Sequence, residues 1–510
     1  MSSKQVSITD DIEALIGFNG LPERDYDRLS CIHSSSPKKL SEWAKGLALI
    51  NGLDVAPQMI GVLQELTVLD AQPAELYELW ESVRSTTHGL LEILQSIYDR
   101  SGPLTALAKR AMQTAHQLDS AIILCLKSIL AMPLAERRPA VRRRFHAQLG
   151  CETLIHFANI AMRLQKFCLE LPKGFWREAH GIYGYLNSLQ SHDEQICAPY
   201  LLWPDRKLTA SQVHLSLVLY ALIEPNRYHR EIQAELLTEM FMLARLSSYQ
   251  IEPGVSVYAV ALTQDVSYIP VRAIKPGNFV FFLELENALQ ALKDIERGLF
   301  AKLSEPVKLL APRFYTVLST EAMRLELRQK TQVQVECQSG FSNIYKFLQE
   351  PHRPDSQSDD EIVYGVYDQV KKINKARYLL QDESTSGLRL ASIDKSSEIP
   401  KSGDLFLVPI QSQFMLCSVR WRSLDSEGGC AFGLEKLASN PHAITMTINE
   451  QEAELAIAYG LKPLHFLCRA SISKGQKVKL ATKQGSFDAI VADSTWLYSG
   501  YVYGQLEYSE

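Results

Sequence analysis

Three residues at fixed spacing, Asp382-x-Ser384-x-x-Gly387, form the stretch of the sequence best suited to chemistry. Short apolar runs of strand character flank them on both sides. A tight turn with a carboxylate and a hydroxyl presents two hydrogen-bonding side chains, and a glycine lets the backbone approach a planar ligand closely. A plainer interpretation is a β-turn in which Asp382 bonds to its own backbone and Gly387 adopts a positive φ. The spacing alone does not decide between them.

The elements that must position this turn are short strands. An alternating segment, Thr331–Cys337, follows the pair Arg324 and Arg328. Downstream, apolar runs at 403–408, 416–421 and 429–434 are each bounded by Gly, Asp or Ser, which is the spacing of a small antiparallel barrel. Trp421 in the second run could stack on a ligand, although a core or rim position in the barrel is more common for such a residue.

This order of features resembles the PilZ domain family: Arg-x-x-x-Arg, a first strand, Asp/Asn-x-Ser-x-x-Gly, then strands that end in Val-x-Trp and a Gly-Phe-type edge. The resemblance covers roughly residues 321–440 and implies a β-barrel that binds cyclic di-GMP, a bacterial second messenger. In that family the arginines clamp phosphate and guanine, the Asp and Ser bond a guanine edge, and the glycine holds the turn. The ligand residues that the resemblance implies here are Arg324, Arg328, Asp382, Ser384 and Gly387.

One departure from the family pattern concerns spacing, because Arg328 and Asp382 are 54 residues apart, further than is usual. An insertion at about residues 342–373 accounts for the excess. Its polar part, Gln349–Glu361, is rich in proline and acids and predicts an exposed, poorly ordered loop between the first two barrel strands. Alternatively, the two arginines are surface residues of a helix, since residues 321–329 are good helix formers throughout.

The first half of the chain has helical apolar spacing from about Lys39 to Tyr249. Leu40, Trp43 and Leu47 show the pattern, because they fall on one face of a helix. Strand signals are nearly absent there. We therefore expect a helical domain over residues 1–250, built as a solenoid or an irregular bundle, whose default role is to bind protein.

The remaining segments are less distinctive. Residues 251–320 mix strand-like and helical runs, and Asp265 with its neighbours echoes the Asp382 motif, with Pro270 in the place of the glycine. This echo is either a degenerate, PilZ-like second copy of the barrel or chance. Residues 441–510 form a short β-meander that either extends the first barrel or makes a separate small unit.

Composition restricts the function classes. A formal net charge of −5 argues against binding a nucleic-acid polymer or an anionic membrane surface. Nine scattered cysteines without a Cys-x-x-Cys pair suit a reducing cytoplasm, and neither a signal peptide nor a membrane span is expected. A basic run at Arg137–Arg144 could bind phosphate or an acidic partner, but a solvated helix start is more common. The phosphate-loop, zinc-protease and serine-hydrolase motifs are missing, so we expect no enzyme activity, no metal and no cofactor.

The sequence thus predicts an α+β protein in which an N-terminal all-helical half precedes a C-terminal antiparallel, PilZ-like β-barrel half. The expected function is that of a bacterial, cytoplasmic receptor or effector that binds cyclic di-GMP at the barrel and signals to an unidentified protein partner through the helical half. The alternative is a non-enzymatic scaffold with a degenerate PilZ-like domain that does not bind nucleotide.

Overall fold

Two compact units make up the chain, and the division lies near residue 322. Two short segments of the first half, Phe167–Glu170 and Asn226–His229, group with the second unit. The computed structural model describes residues 20–99, 105–197, 207–228, 233–275, 279–294, 308, 310–320, 329–349, 375–393, 400–401, 403–410, 413–424, 429–448, 453–460, 464–470, 472–482, 485–497 and 501–508.

The first unit is helical up to residue 244, which confirms the prediction from apolar spacing. Its helices are α1 (Pro37–Lys45), α2 (Gly52–Val68), α3 (Pro73–Tyr98), α4 (Ala106–Leu130), α5 (Pro139–Lys166), α6 (Phe175–Ser188), α7 (Ala210–Leu222) and α8 (Gln233–Ala244), with short 3₁₀ turns at Leu49–Asn51 and Pro225–Arg227. Helix α4 packs against α2, α3 and α5, so this part of the unit is a bundle around one central helix. Among the described residues before Ser248, the strands are the two-residue pair β1 (Ile196–Cys197) and β2 (Lys207–Leu208).

A buried ionic cluster joins α3, α4 and α5. Asp119 is fully buried, and its carboxylate accepts hydrogen bonds from Arg163 and from Nδ1 of His156, the latter at 2.6 Å. Nε of Arg163 also donates to the hydroxyl of Tyr98 at 3.2 Å. Burial raises the pKa of Asp119, but Arg163 and His156 outweigh that effect and leave the pKa below its usual range. A buried charge of this kind is tolerated only while its partners remain in place.

A chain of hydrogen bonds through two buried histidines joins α6, α7 and the strand that follows α8. The carbonyl of Val266 can only accept, so Nε2 of His180 carries a proton and donates to it at 2.8 Å. Nδ1 of His180 then accepts from Nε2 of His214 at 2.9 Å, and Nδ1 of His214 accepts from the hydroxyl of Tyr249 at 2.7 Å. Burial lowers the pKa of His180 to about 4 and that of His214 well below its usual value. Both rings are therefore neutral near pH 7, each in a single tautomer.

A small antiparallel sheet completes the first unit, with strand order β3-β6-β4-β5. Its elements are β3 (Ser248–Gln250), β4 (Tyr258–Ala261), β5 (Ile269–Pro270), a 3₁₀ turn at Val271–Ala273, β6 (Val280–Glu284), α9 (Glu286–Lys293) and α10 (Ala311–Ser319). Three of its four strands, β4, β5 and β6, lie within residues 251–320, and the strand order of this sheet does not close into a barrel. Asp265, the centre of the sequence echo, caps α6 instead. Its carboxylate accepts from the backbone N–H groups of Gly174 at 2.5 Å, Trp176 at 3.0 Å and Arg177 at 3.3 Å.

The second unit begins with a closed antiparallel barrel, which confirms the expected antiparallel strands from about residue 332 to residue 437. Its strands are β7 (Gln329–Ser339), β8 (Lys375–Glu383), β9 (Gly387–Ser392), β10 (Leu405–Ile410), β11 (Gln413–Leu424) and β12 (Cys430–Ser439). Around the barrel their order is β7-β8-β9-β12-β11-β10, and β10 pairs with β7 to close it. The interior contains an aromatic cluster of Tyr378, Phe406 and Phe432, whose ring centroids are 5.2 to 5.7 Å apart.

A second closed barrel follows directly, and it is the separate β unit that the sequence left as one of two alternatives. Its strands are β13 (His442–Ile448), β14 (Ala453–Tyr459), β15 (Leu464–Cys468), β16 (Lys477–Thr482), β17 (Gly485–Leu497) and β18 (Tyr501–Tyr508). The order around this barrel is β13-β14-β15-β18-β17-β16, with β16 paired to β13. Strand for strand, this is the order of the first barrel.

The insertion between β7 and β8 is not a simple polar loop, because its first part is the helix α11 (Phe341–Gln349). Phe341, Ile344 and Tyr345 are buried in an apolar cluster with outward-facing side chains of both barrels, such as Leu407 and Leu467. The helix therefore helps to hold the two barrels together. The predicted loop after Gln349, residues 350–361, lies outside the described residues.

Within the described ranges, no single helix is long and apolar enough to cross a membrane. One bent pair of consecutive helices, Pro37–Lys45 with Leu49–Val68, meets the length and composition criteria together.

Candidate ligand-binding site

The structure describes three of the five predicted ligand residues. Asp382 lies near the end of β8, Ser384 lies in the turn that follows, and Gly387 begins β9. Arg324 and Arg328 lie outside the described residues. Gln329, the residue after Arg328, is described, and it pairs with Glu383 beside the turn.

The turn between β8 and β9 is a tight hairpin held by its own hydrogen bonds. The backbone N–H of Ser384 donates to the carbonyl of Gly387 at 2.8 Å, and the N–H of Gly387 donates to Oγ of Ser384 at 3.1 Å. The hydroxyl of Ser384 therefore shapes the turn, as Ser and Thr side chains commonly do. A ligand that bonded this hydroxyl would have to share it with the turn.

Gly387 does not serve the turn in the predicted way, because its φ is not in the left-handed region. The expected positive φ at this position is wrong. Glycine permits a close approach of two strands instead, since a Cβ at this position would lie 3.0 Å from the carbonyl oxygen of Leu434 on β12. A larger side chain would push β9 away from β12.

Lys436 on β12 anchors the turn from the neighbouring strand. Its Nζ donates to the carboxylate of Glu383 at 2.7 Å and to the carbonyl of Ser384 at 2.7 Å. Its backbone N–H donates to the carbonyl of Ser386 at 2.9 Å. These bonds hold the turn against β12, so its polar groups are positioned before any ligand arrives.

Asp382 belongs to a row of residues that crosses five strands of the first barrel. Lys330 pairs with Asp382, Asp382 with Arg389, Arg389 with Gly433, and Gly433 with Trp421. Successive side chains of a strand point to opposite faces. The residues on either side of Arg389 are in the barrel core, so the row faces outward.

A stacked cation and indole form the centre of this row. The guanidinium carbon of Arg389 lies 5.7 Å from the centroid of the Trp421 ring, which is a cation–π contact. Gly433 makes room for it, because a Cβ there would lie 2.0 Å from Nε1 of Trp421. Among the described atoms, the buried Nε of Arg389 has no hydrogen-bond partner. An arginine beside an aromatic ring suits a planar or anionic ligand, because the ring can stack and the guanidinium carries a positive charge.

Sequence reasoning named Trp421 but missed Arg389, Gly433 and Lys436. Two-residue alternation from Gly387 would have placed Arg389 on the same face of β9. Gly433 and Lys436 carried no such signal, because their contacts depend on the register of β12 against two other strands. The described part of the chain contains no group of three or more His, Cys, Asp or Glu side chains that could hold a metal ion.

Comparison with known proteins adds one finding. Residues 38–249 match the family model described as "Cyclic-di-GMP receptor FimW, N-terminal domain". The match covers the helical region, less than half of the chain, and it ends before the two barrels. No curated protein and no solved structure matches the chain significantly.

Proposed function

We propose that this protein is a receptor for cyclic di-GMP and binds it on the outer face of the first barrel. The observation that carries the proposal is the match of residues 38–249 to a family described as a cyclic di-GMP receptor. A receptor family favours a binding protein over an enzyme, in line with the lack of catalytic motifs. The barrel geometry suggests where the ligand would bind.

The row that contains Asp382, Arg389 and Trp421 has the chemistry that this ligand needs. A guanine offers a flat face and the O6 and N7 acceptors to an arginine, and it offers N–H donors to a carboxylate. In the proposed complex Arg389 and Trp421 contact a base or a phosphate, and Asp382 accepts from a guanine edge. Arg324 and Arg328 clamp the phosphates, because the strand that follows them begins opposite the turn.

The direct test is calorimetric titration of the purified protein with cyclic di-GMP. Asp382→Ala, Arg389→Ala and Arg328→Ala are each expected to weaken binding by about 5- to 150-fold, since a bidentate charged contact is worth roughly 1–3 kcal/mol. Affinity should also fall as salt is added, because the ligand is a dianion. Arg377→Ala is the matched control, since Arg377 is an exposed arginine at the other end of β8.

The result that would end the receptor proposal is a wild-type protein that gives no heat and no spectroscopic change at near-millimolar ligand. The scaffold alternative would then stand. If wild type binds and Arg377→Ala weakens binding as much as Arg389→Ala, the ligand does not occupy the proposed face.

We further propose that the helical unit passes the signal to a protein partner. The contacts of Arg324 and Arg328 with bound ligand would be the local switch. Hydrogen exchange of the helical unit should change when cyclic di-GMP is added to wild type, and it should not change in Asp382→Ala. Identical exchange with and without ligand, at saturating concentration, would refute this coupling.

A further inference from the structure

The second barrel repeats the strand order of the first, and one register shift recurs at the corresponding place. In the first barrel, Leu434 pairs with Leu388 on one side and with Val419 on the other, and the register of β11 shifts just after Val419. In the second barrel, Leu506 pairs with Leu464 and with Val491, and the register of β17 shifts just after Val491. This shared register shift, together with the shared strand order, aligns β9, β11 and β12 of the first barrel with β15, β17 and β18 of the second.

This correspondence locates the second barrel's counterpart of the candidate site. Arg389 follows Leu388 and pairs with Asp382, whereas His465 follows Leu464 and pairs with Tyr459. The charged pair of the first barrel is thus replaced by two aromatic rings.

These rings belong to a larger aromatic group, which consists of Tyr459, His465 and Tyr503. The ring of His465 is nearly parallel to that of Tyr459, with centroids 5.4 Å apart, and to that of Tyr503, with centroids 5.7 Å apart. The hydroxyl of Tyr503 lies 3.1 Å from Nδ1 of His465. Tyr459 is buried, while His465 and Tyr503 remain partly exposed. The aromatic group therefore presents ring surface that is held in a fixed orientation.

The aromatic group lies close to the turn of the first barrel. Along β12, Glu435 pairs with Gly387, and Lys436 holds the turn. The next two residues, 437 and 438, pack in the same apolar cluster as Tyr459 and Tyr503. With a rise of about 3.3 Å per residue, residue 438 lies roughly 10 Å along β12 from Glu435, which pairs with the first residue after the turn. Burial raises the pKa of Tyr459, and the neighbouring Tyr503 and the charge of Glu435 add to the rise.

We propose that the second barrel supplies one wall of the nucleotide site, with His465 and Tyr503 stacking against a guanine base of the ligand. This inference rests on the proposed function and deepens it. A ligand with two bases can contact two surfaces at once, the Arg389–Trp421 pair of the first barrel and the aromatic group of the second. Stacking on aromatic rings suits any purine, while the hydrogen bonds that Asp382 accepts from the edge of the base confer selectivity for guanine. The second barrel then binds no nucleotide of its own, so the chain has one site.

The test measures cyclic di-GMP affinity in two pairs of full-length variants. Tyr503→Leu and His465→Leu remove a ring and are each expected to weaken binding by about 5- to 150-fold. Tyr503→Phe keeps the ring and should stay within about 3-fold of wild type. Phe487→Leu is the control, because Phe487 packs against the core of the second barrel and not against the cluster shared by the barrels. Thermal unfolding of all four variants identifies any loss that comes from misfolding.

The outcomes separate this inference from the function it rests on. Wild type that does not bind cyclic di-GMP refutes the receptor proposal itself. Wild type that binds, with Tyr503→Leu and His465→Leu unchanged, refutes only the stacking wall. If Tyr503→Phe loses as much affinity as Tyr503→Leu, the hydroxyl and not the ring is responsible, and stacking is again refuted. If Tyr503→Leu does not fold, the affinity of His465→Leu alone tests the stacking wall, because His465 is partly exposed.

Discussion

Mild acid should destabilise the helical unit, because several of its histidines are buried in the neutral form. Burial lowers the pKa of His180 to about 4. Burial, with the charges of His156 and Arg84, lowers that of His88 to about 3, and burial beside Arg142 lowers that of His146 to about 4. In the unfolded chain all three return to about 6.5. As pH falls from 7 towards the folded pKa values, the unfolded state takes up protons that the native state does not, so stability is lost.

The size of the effect follows from linkage. Between pH 7 and pH 5, each of these histidines should lower the free energy of unfolding by about 1.9 kcal/mol, and the three together by about 5–6 kcal/mol. Glu239 has the opposite effect on stability, because burial beside Glu235 raises its pKa to about 8. Its carboxyl binds a proton more tightly in the folded state, so it raises the free energy of unfolding by about 2–3 kcal/mol between pH 7 and pH 5. For these four groups together the expected net loss is about 3 kcal/mol, which is a large part of the stability of an ordinary domain. Burial also holds the pKa of His214 well below its usual value, so His214 adds to the loss.

Urea unfolding followed by circular dichroism at 222 nm measures this loss, since the helices dominate the signal there. Glu239→Gln is the matched variant, because neither carboxylate oxygen of Glu239 has a hydrogen-bond partner among the described residues, and the amide is of similar shape. Without the opposing carboxyl, the variant should lose about 5–6 kcal/mol between pH 7 and pH 5, more than wild type. A variant whose stability is unchanged or greater at pH 5 would show that the histidines are not held neutral by burial.

Three further predictions concern single residues. Asp119→Asn should lower the free energy of unfolding by about 3–5 kcal/mol, because it leaves the buried Arg163 without its counter-charge. A thermal unfolding midpoint within a degree of wild type would contradict this. Asp265→Ala removes the cap of α6 and should lower the free energy of unfolding by about 1 kcal/mol at pH 7. This difference from wild type should shrink in acid, where the wild-type carboxylate becomes protonated. Equal differences at pH 7 and pH 3 would be inconsistent with a charged cap. Gly433→Ala should displace Trp421, because the added Cβ would overlap the indole ring. We expect a shift in tryptophan fluorescence together with weaker binding of cyclic di-GMP. An unchanged emission spectrum would mean that the indole does not cover the glycine.

The sequence by itself determined the elements and their class. Apolar residues three and four apart, such as Leu76 and Leu79 in α3, can be buried together only if the backbone is helical. Two-residue alternation, as in Leu388 and Leu390, can be buried only in a strand. The hairpin at Asp382–Gly387 was also visible, because a Ser side chain bonds to nearby backbone groups, as Ser384 does with the N–H of Gly387. These signals are local in the chain, and local physics is enough to interpret them.

Only the tertiary structure decided how the strands are distributed and what the site contains. Barrel closure pairs β7 with β10 across dozens of residues, so periodicity does not reveal that the last seventy residues form a second barrel and not an extension of the first. Arg389, Gly433 and Trp421 come together because three strands adopt one register, and a shift of one residue would turn Arg389 into the core. Asp265 resembled a ligand motif in isolation, yet it caps a helix that begins 90 residues earlier in the chain. In each case the deciding contact is made between residues far apart in sequence, and their types alone do not specify their partners.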